Sequence, residues 1–230
     1  LPICSAKFTS MSGMTQALKI DFVSDVACPW CAIGLTSLEK ALKGLGSEVP
    51  VELHFQPYEL NPDMTPEGED VGEYLAQKYG STPEQQAANF DRIRERGAEI
   101  GFEFRKEGRG RIWNTFDAHR LLHWAGLEGG GKQLALKKQL LAAYHGRGQS
   151  PADFDILVQA AASAGLDPAR AKEVLDSGEF AGEVRARERF YQSQGISAVP
   201  SVIVNDKHLI QGGQPPEVFE QALRQIAQAG

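Results

Sequence analysis

The stretch Ser24-Asp25-Val26-Ala27-Cys28-Pro29-Trp30-Cys31 sets two thiols three positions apart, where an extended apolar run gives way to a helical pattern. Three kinds of chemistry fit such a pair: thiol–disulfide exchange, half of a zinc site, or inert packing of two buried cysteines. At a helix start, free backbone N–H groups and the helix dipole stabilise a thiolate, so Cys28 becomes the better nucleophile and leaving group. Cys31, one turn on, stands where it can attack a mixed disulfide at Cys28 and release the product. Pro29 falls early in the helix, where its missing donor costs little, and Trp30 offers an aromatic surface beside the sulfur. A structural zinc site usually needs four ligands, and the sequence has neither a second C-x-x-C nor a His pair at finger spacing. Packing alone gives no reason for a strand-to-helix junction.

Position therefore decides, and the flanking elements supply it. Ala17 to Ala27 reads as a central strand, with Ile20, Phe22 and Val23 as its buried positions. Ile33, Leu35, Leu38, Ala41, Leu42 and Leu45 follow near helical spacing, and Val51, Leu53 and Phe55 alternate as a second strand. Strand, helix, strand opens a parallel α/β unit. From Pro66 to Gln194 the signals are helical, about six helices in all. Their starts are Thr82-Pro83 with Gln85 as a capping box, Ser150-Pro151, Asp167-Pro168 and Asn114, the last capping a helix that Gly126 ends. Ser201–Val204 and His208–Gln211 then form a hairpin about Asn205-Asp206-Lys207, and a helix starting at Pro215 or Pro216 closes the chain. The order βαβ, helices, ββα predicts one sheet domain, residues 17–65 and 195–230, carrying a helical insertion at 66–194, because neither half-sheet can bury its faces alone.

At 230 residues the chain needs no disulfide or metal to hold a core. Lys plus Arg number 24 against 30 Asp plus Glu, and the net charge of −6 gives no electrostatic reason to expect nucleic acid or an anionic membrane as partner. No apolar run approaches a membrane span of about 20 residues. Residues 1–16, which include Cys4, read as a disordered extension or an expression remnant without the sustained apolar core of a secretory signal. Two cysteines beyond it form no disulfide framework, so the expected compartment is the cytoplasm.

The late segment Gly195-Ile196-Ser197-Ala198-Val199-Pro200-Ser201 joins the first motif to a known pattern. Cys-Pro-Trp-Cys after the first strand, with Val199-Pro200 before the third, resembles the thioredoxin fold. That resemblance implies a cis Val199-Pro200 bond facing the thiols and leaves the Val199 backbone to pair with an extended peptide or glutathione. The helical insertion resembles the DsbA family. The stretches Ser24 to Gly34, Glu59 to Met64, Asn114 to Ala125 and Gly195 to Asn205 resemble its FrnE-like branch, related to 2-hydroxychromene-2-carboxylate isomerases and kappa-class glutathione transferases. The resemblance covers about Leu18 to Gly230. It implies a thiol–disulfide oxidoreductase with no permanently bound cofactor, acting on protein or peptide thiols and disulfides, with glutathione as a candidate substrate or co-substrate. The isomerases and transferases have Ser at the place of Cys28, so retention of both thiols favours redox work. A glutathione-dependent isomerase or transferase, and a chaperone-like binding module, stand as alternatives. DsbA carries His where this chain has Trp30, so Cys28 is expected to draw its activation from the helix rather than an imidazole, and less strongly.

Other residues are weaker candidates. Asn61, Asn114 and His119 belong, by the resemblance, to motifs facing the interdomain cleft, against plain roles as turn, cap and packing residues. His119 and His123 are four apart but lack the Glu of H-E-x-x-H, so packing or hydrogen bonding is the expected role. Asp25 reads as a local turn acceptor or as a proton acceptor for the resolving thiol. The locally basic stretch Arg92 to Trp113 reads as a solvated surface or a rim that attracts carboxylates, and His54, His145 and His208 show no partner.

Overall fold

A computed structural model describes residues 15–230, so Cys4 and nearly all of the extension expected over 1–16 lie outside the described residues. β1 (Leu18–Ser24) is the central strand. It pairs in parallel with β2 (Val51–Pro57), Phe22 opposite Phe55, and antiparallel with β5 (Ser201–Val204), Phe22 opposite Val202. β6 (His208–Gln211) adds the far edge, giving the order β2-β1-β5-β6. The β5–β6 turn places Asn205 and Asp206 at φ 52 and 57, residue types that tolerate this backbone better than most.

The connecting helices cover this sheet. α1 (Pro29–Leu45) follows β1, and α9 (Pro216–Gln228) packs beside it. Leu18, Ile20 and Phe22 join Leu35 and Leu38 of α1, and Phe219 and Leu223 of α9, in one buried cluster. The Phe22 and Phe55 rings meet edge to face at 5.7 Å, a geometry that suits their quadrupoles.

Between β2 and β5 lie β3 (Glu69–Asp70), α2 (Val71–Tyr79), α3 (Pro83–Ile100), β4 (Arg111–Ile112), α4 (Phe116–Glu128), α5 (Lys132–Leu141), a π turn at Ala142–Gly146, α6 (Phe154–Ser163), α7 (Pro168–Ser177) and α8 (Ala181–Ser193). The extra helix relative to the sequence expectation is α2, nine residues long with none buried. The two-residue strands β3 and β4 were also unforeseen, being too short to show periodicity. The Thr82/Gln85 capping box forms as expected. Ser150-Pro151 does not begin a helix: α6 starts at Phe154, because the Asp153 carboxylate accepts from Asp155 N at 2.8 Å. α4 runs past Gly126 to Glu128. Gly126 instead makes room for Gln133, which would lie 2.8 Å from an added Cβ and whose side chain accepts from Phe55 N and donates to Leu122 O.

The helices have a core of their own, and Val26 and Ala27 belong to it rather than to the sheet's. The backbone thus leaves the sheet core after Ser24, enters the helical core, and emerges at Cys28 to begin α1. Gly34, in the second turn of α1, lets this helix sit against Pro200: a Cβ there would stand 2.9 Å from Pro200 Cγ and 3.5 Å from Gly213 Cα. Overfilling so tight a contact costs about 1–3 kcal/mol. Gly34→Val is expected to lower the unfolding free energy measured in urea by that amount, and an unchanged midpoint would show that the contact yields freely.

Candidate active site

Cys28 is the N-cap of α1, with extended backbone (φ −88, ψ 116), and its side chain caps nothing. Its thiol is left to donate toward the Val199 carbonyl, 3.7 Å away. Val199-Pro200 is the cis peptide that the resemblance implied. No hydrogen bond to the Val199 amide appears among the described residues. Cys28 is 5% exposed and Cys31 0%, and both are free thiols.

Such burial would keep both thiols protonated, yet the two are displaced in opposite directions. A hydrogen bond from the Cys31 side chain, and after it the backbone amides of Cys31 and Trp30 at the helix start, bring Cys28 below an ordinary thiol against the cost of burial. Burial first, and then the neighbouring Cys28, push Cys31 well above it. The activation expected from the helix therefore takes second place to the neighbouring thiol. The C-x-x-C turn, with one sulfur at the helix start and the other buried one turn on, gives each sulfur its separate state.

Below the thiols sits a carboxylate with water excluded. Asp25, 1% exposed, accepts through Oδ1 from Thr115 Oγ1 at 2.7 Å, His119 Nε2 at 3.2 Å and Ala27 N at 3.3 Å, and through Oδ2 from Leu60 N at 2.8 Å. Accepting from His119 assigns that ring's proton to Nε2. Burial drives Asp25 upward, but His119, the Leu60 amide and Thr115 together hold it below the usual carboxylate value. The local turn bond read from sequence is the longest of the four. Lys137, 1% exposed on α5, makes no hydrogen bond or ion pair among the described residues. Burial lowers its ammonium, while Cys31, Asp25 and Cys28 act on it in the other sense. Its sequence signal was available: with Leu136, Leu140 and Leu141 it occupies the buried stripe of α5, where a lysine has no solvent to reach.

The remaining candidates separate. Pro29 and Trp30 flank the thiols half-buried, Trp30 packing against the sheet core. Asn114 accepts from Phe116 N at 2.9 Å and donates to Met64 O at 3.0 Å, so its amide ties the loop after β2 to α4. Asn61 accepts from Tyr74 and, at 3.0 Å, from Lys78, both on α2. His119 and His123 diverge, His119 to Asp25 and His123 against the Phe180 ring at 5.2 Å. Two histidines read as partnerless have partners: His54 meets Glu52 at 2.8 Å, and buried His145 donates to the Val26 carbonyl at 2.7 Å. Burial lowers His145 to about 3, so the ring is neutral. Two arginines of the locally basic stretch bind backbone: Arg109 donates to Ala27 O at 2.9 Å, and Arg111 to the Glu67 and Gly68 carbonyls. Among the described residues no group of three His, Cys, Asp or Glu is arranged to hold a metal, and no helix is long and apolar enough to cross a membrane.

Removing the buried carboxylate strands Leu60 N–H, the Thr115 hydroxyl and His119, each at about 1–3 kcal/mol if left unpaired. Asp25→Ala is expected to lower Tm by several degrees, roughly 2–4 °C per kcal/mol at this size. Because the folded carboxyl titrates below its unfolded value, its contribution is complete above the ordinary carboxylate range and disappears as the pH falls through the folded value. The gap between wild type and variant should therefore close in acid; a gap constant from pH 7 down to pH 3 would contradict the assignment.

Comparison with known proteins places this architecture. A family profile described as "DSBA-like thioredoxin domain" matches residues 19–224. The chain is similar to a probable DsbA oxidoreductase from Streptomyces coelicolor whose crystal structure is known: 34% identity, TM-score 0.84, 92% of this chain and 90% of that one. It is 29% identical to the uncharacterized protein YwbO of Bacillus subtilis over 91% of this chain and 96% of that one. The cytosolic disulfide reductase DsbM from Pseudomonas aeruginosa, solved with GSH, shares the fold at 19% identity and TM-score 0.63, over 91% of this chain and 99% of that one. With nearly its whole length matched, this chain belongs to the family of DSBA-like thioredoxin-domain proteins.

Proposed function

We propose that the protein is a protein disulfide oxidoreductase whose redox centre is the Cys28-Pro29-Trp30-Cys31 turn. The observation that carries this reading is the pair of free thiols at the start of α1, Cys28 set against the carbonyl of the cis Val199-Pro200 step, and the opposite displacement of the two thiols agrees with it. The Cys28 thiolate attacks one sulfur of a substrate disulfide; a Cys28–substrate bond forms, the substrate S–S bond breaks, and the departing thiolate takes up a proton. Cys31 loses its proton and attacks the Cys28 sulfur, which forms the Cys28–Cys31 disulfide and releases the second substrate thiol. The substrate gains two electrons and two protons; the protein loses two electrons and the Cys31 proton, and the solvent supplies the second proton. Run backwards, the same steps oxidise a dithiol.

A low-lying Cys28 serves both directions, since it attacks as a thiolate and leaves as one. Cys31 stays protonated, and so inert, until a mixed disulfide forms beside it. The uncommitted Val199 amide offers a donor to an extended polypeptide, and Pro29, Trp30 and Pro200 give it apolar surface. Asn61, Asn114 and His119, whose side chains are engaged within the protein, act in this reading by positioning the loop after β2 and Asp25. Glutathione is the exchange partner of smallest size, a reading supported by the DsbM relative solved with GSH, and the cytoplasm is the compartment in which we place the reaction.

Insulin reduction driven by dithiothreitol tests the dithiol mechanism. Cys28→Ser should abolish catalysis, and Cys31→Ala should accumulate a mixed disulfide that non-reducing gels and mass spectrometry detect. A Cys28→Ser protein as active as wild type would remove the mechanism.

A further inference from the structure

Beside the thiols, a cavity of about 260 Å³ opens between α2, α3 and the segment before β4, and Pro29 forms part of its wall. Its other apolar walls are Val71 and Leu75 of α2, Phe90 and Ile93 of α3, and Phe104. Val71 and Leu75 lie one turn apart on the helix that buries nothing, and both are half-buried apolar residues that line the cleft. The wall also contains His145. With its Nε2 donating to Val26 O, the buried Nδ1 is an acceptor that has no partner, and such a group costs about 1–3 kcal/mol. Arg109, on the same wall, binds Ala27 O and so couples the cavity to the residue before Cys28.

Size selects the occupant. An apolar cavity of roughly 150 Å³ holds a benzene ring, whereas pockets for whole drug-sized ligands span about 300–1,000 Å³. A cavity of about 260 Å³ therefore fits one aromatic side chain with its linking atoms. Since Pro29 stands between the two cysteines, a ring seated here belongs to a chain whose sulfur is already at Cys28. We infer that this cleft is a specificity pocket, built by the helical insertion, for an aromatic side chain within a few residues of the disulfide on the substrate polypeptide. The inference rests on the disulfide-exchange reading and names its substrate class.

Two peptides with the same disulfide, one carrying Trp and the other Ser two residues from a cysteine, test it, with cystamine as a disulfide too small to reach the cleft. Wild type is expected to favour the Trp peptide by about tenfold or more in kcat/KM. Ala87→Trp, at an exposed position of α3 that lines the cavity, should erase that preference and leave cystamine turnover unchanged. Leu75→Trp fills the cleft from the opposite wall and serves where the first variant does not fold. Equal kcat/KM for the two peptides with wild type, or a preference untouched by either folded variant, would overturn the inference. Failure to turn over either peptide or cystamine would instead overturn the disulfide-exchange reading beneath it.

Discussion

An ionised carboxylate out of reach of water persists at Asp25 only because four donors from three stretches of chain converge on it: Ala27 in its own turn, Leu60 after β2, and Thr115 with His119 at the start of α4. Those stretches belong to the sheet and to the inserted helices alike, so neither part can shift without stranding a buried donor. Val26 and Ala27 are held between them, Ala27 O by Arg109 and Val26 O by His145. The direction in which α1 begins, and with it the setting of Cys28, follows from this clamp.

The same carboxylate sets an electrostatic problem. Its negative charge opposes ionisation of Cys28. Hydrogen bonding from Cys31 and the free amides of the helix start outweigh it, while the buried Lys137 ammonium acts on Cys31 from the α5 side without offsetting the burial of that thiol. In so dry a setting each interaction is stronger than it would be in water. Both thiols cannot ionise together there, so the charge goes to the sulfur that faces the helix amides. A second buried carboxyl, Glu59, bonded to Arg185 beside Glu188, is raised by burial and Glu188 to about 8, which shows what happens nearby when donors are too few.

What was legible in the sequence is what short-range pattern records. Alternation in β2, the apolar stripe of α1, the Cys-Pro-Trp-Cys turn and the Val199-Pro200 step each lie within a few residues, and together they pointed to the fold and to both walls around the sulfurs. Three of the four donors to Asp25 come from 35 to 94 positions away, and no local rule marks Thr115 or His119 as its partners. His145 was missed for the same reason, since its partner is Val26, 119 positions distant. α2 escaped because it is only nine residues long and buries nothing, and that helix lines the cleft beside the thiols. Lys137 had left a trace, as a charge in an apolar stripe.

The account turns on two chemically identical thiols, one turn apart, being held in different protonation states by their surroundings. Alkylation of the reduced protein by iodoacetamide across pH, with each cysteine quantified separately by mass spectrometry, measures this directly. Cys28 should react with a midpoint below that of an ordinary cysteine, about 8.5, while Cys31 remains unreactive until far higher pH. Equal reactivity of the two cysteines with one ordinary midpoint, or Cys31 reacting first, would contradict it.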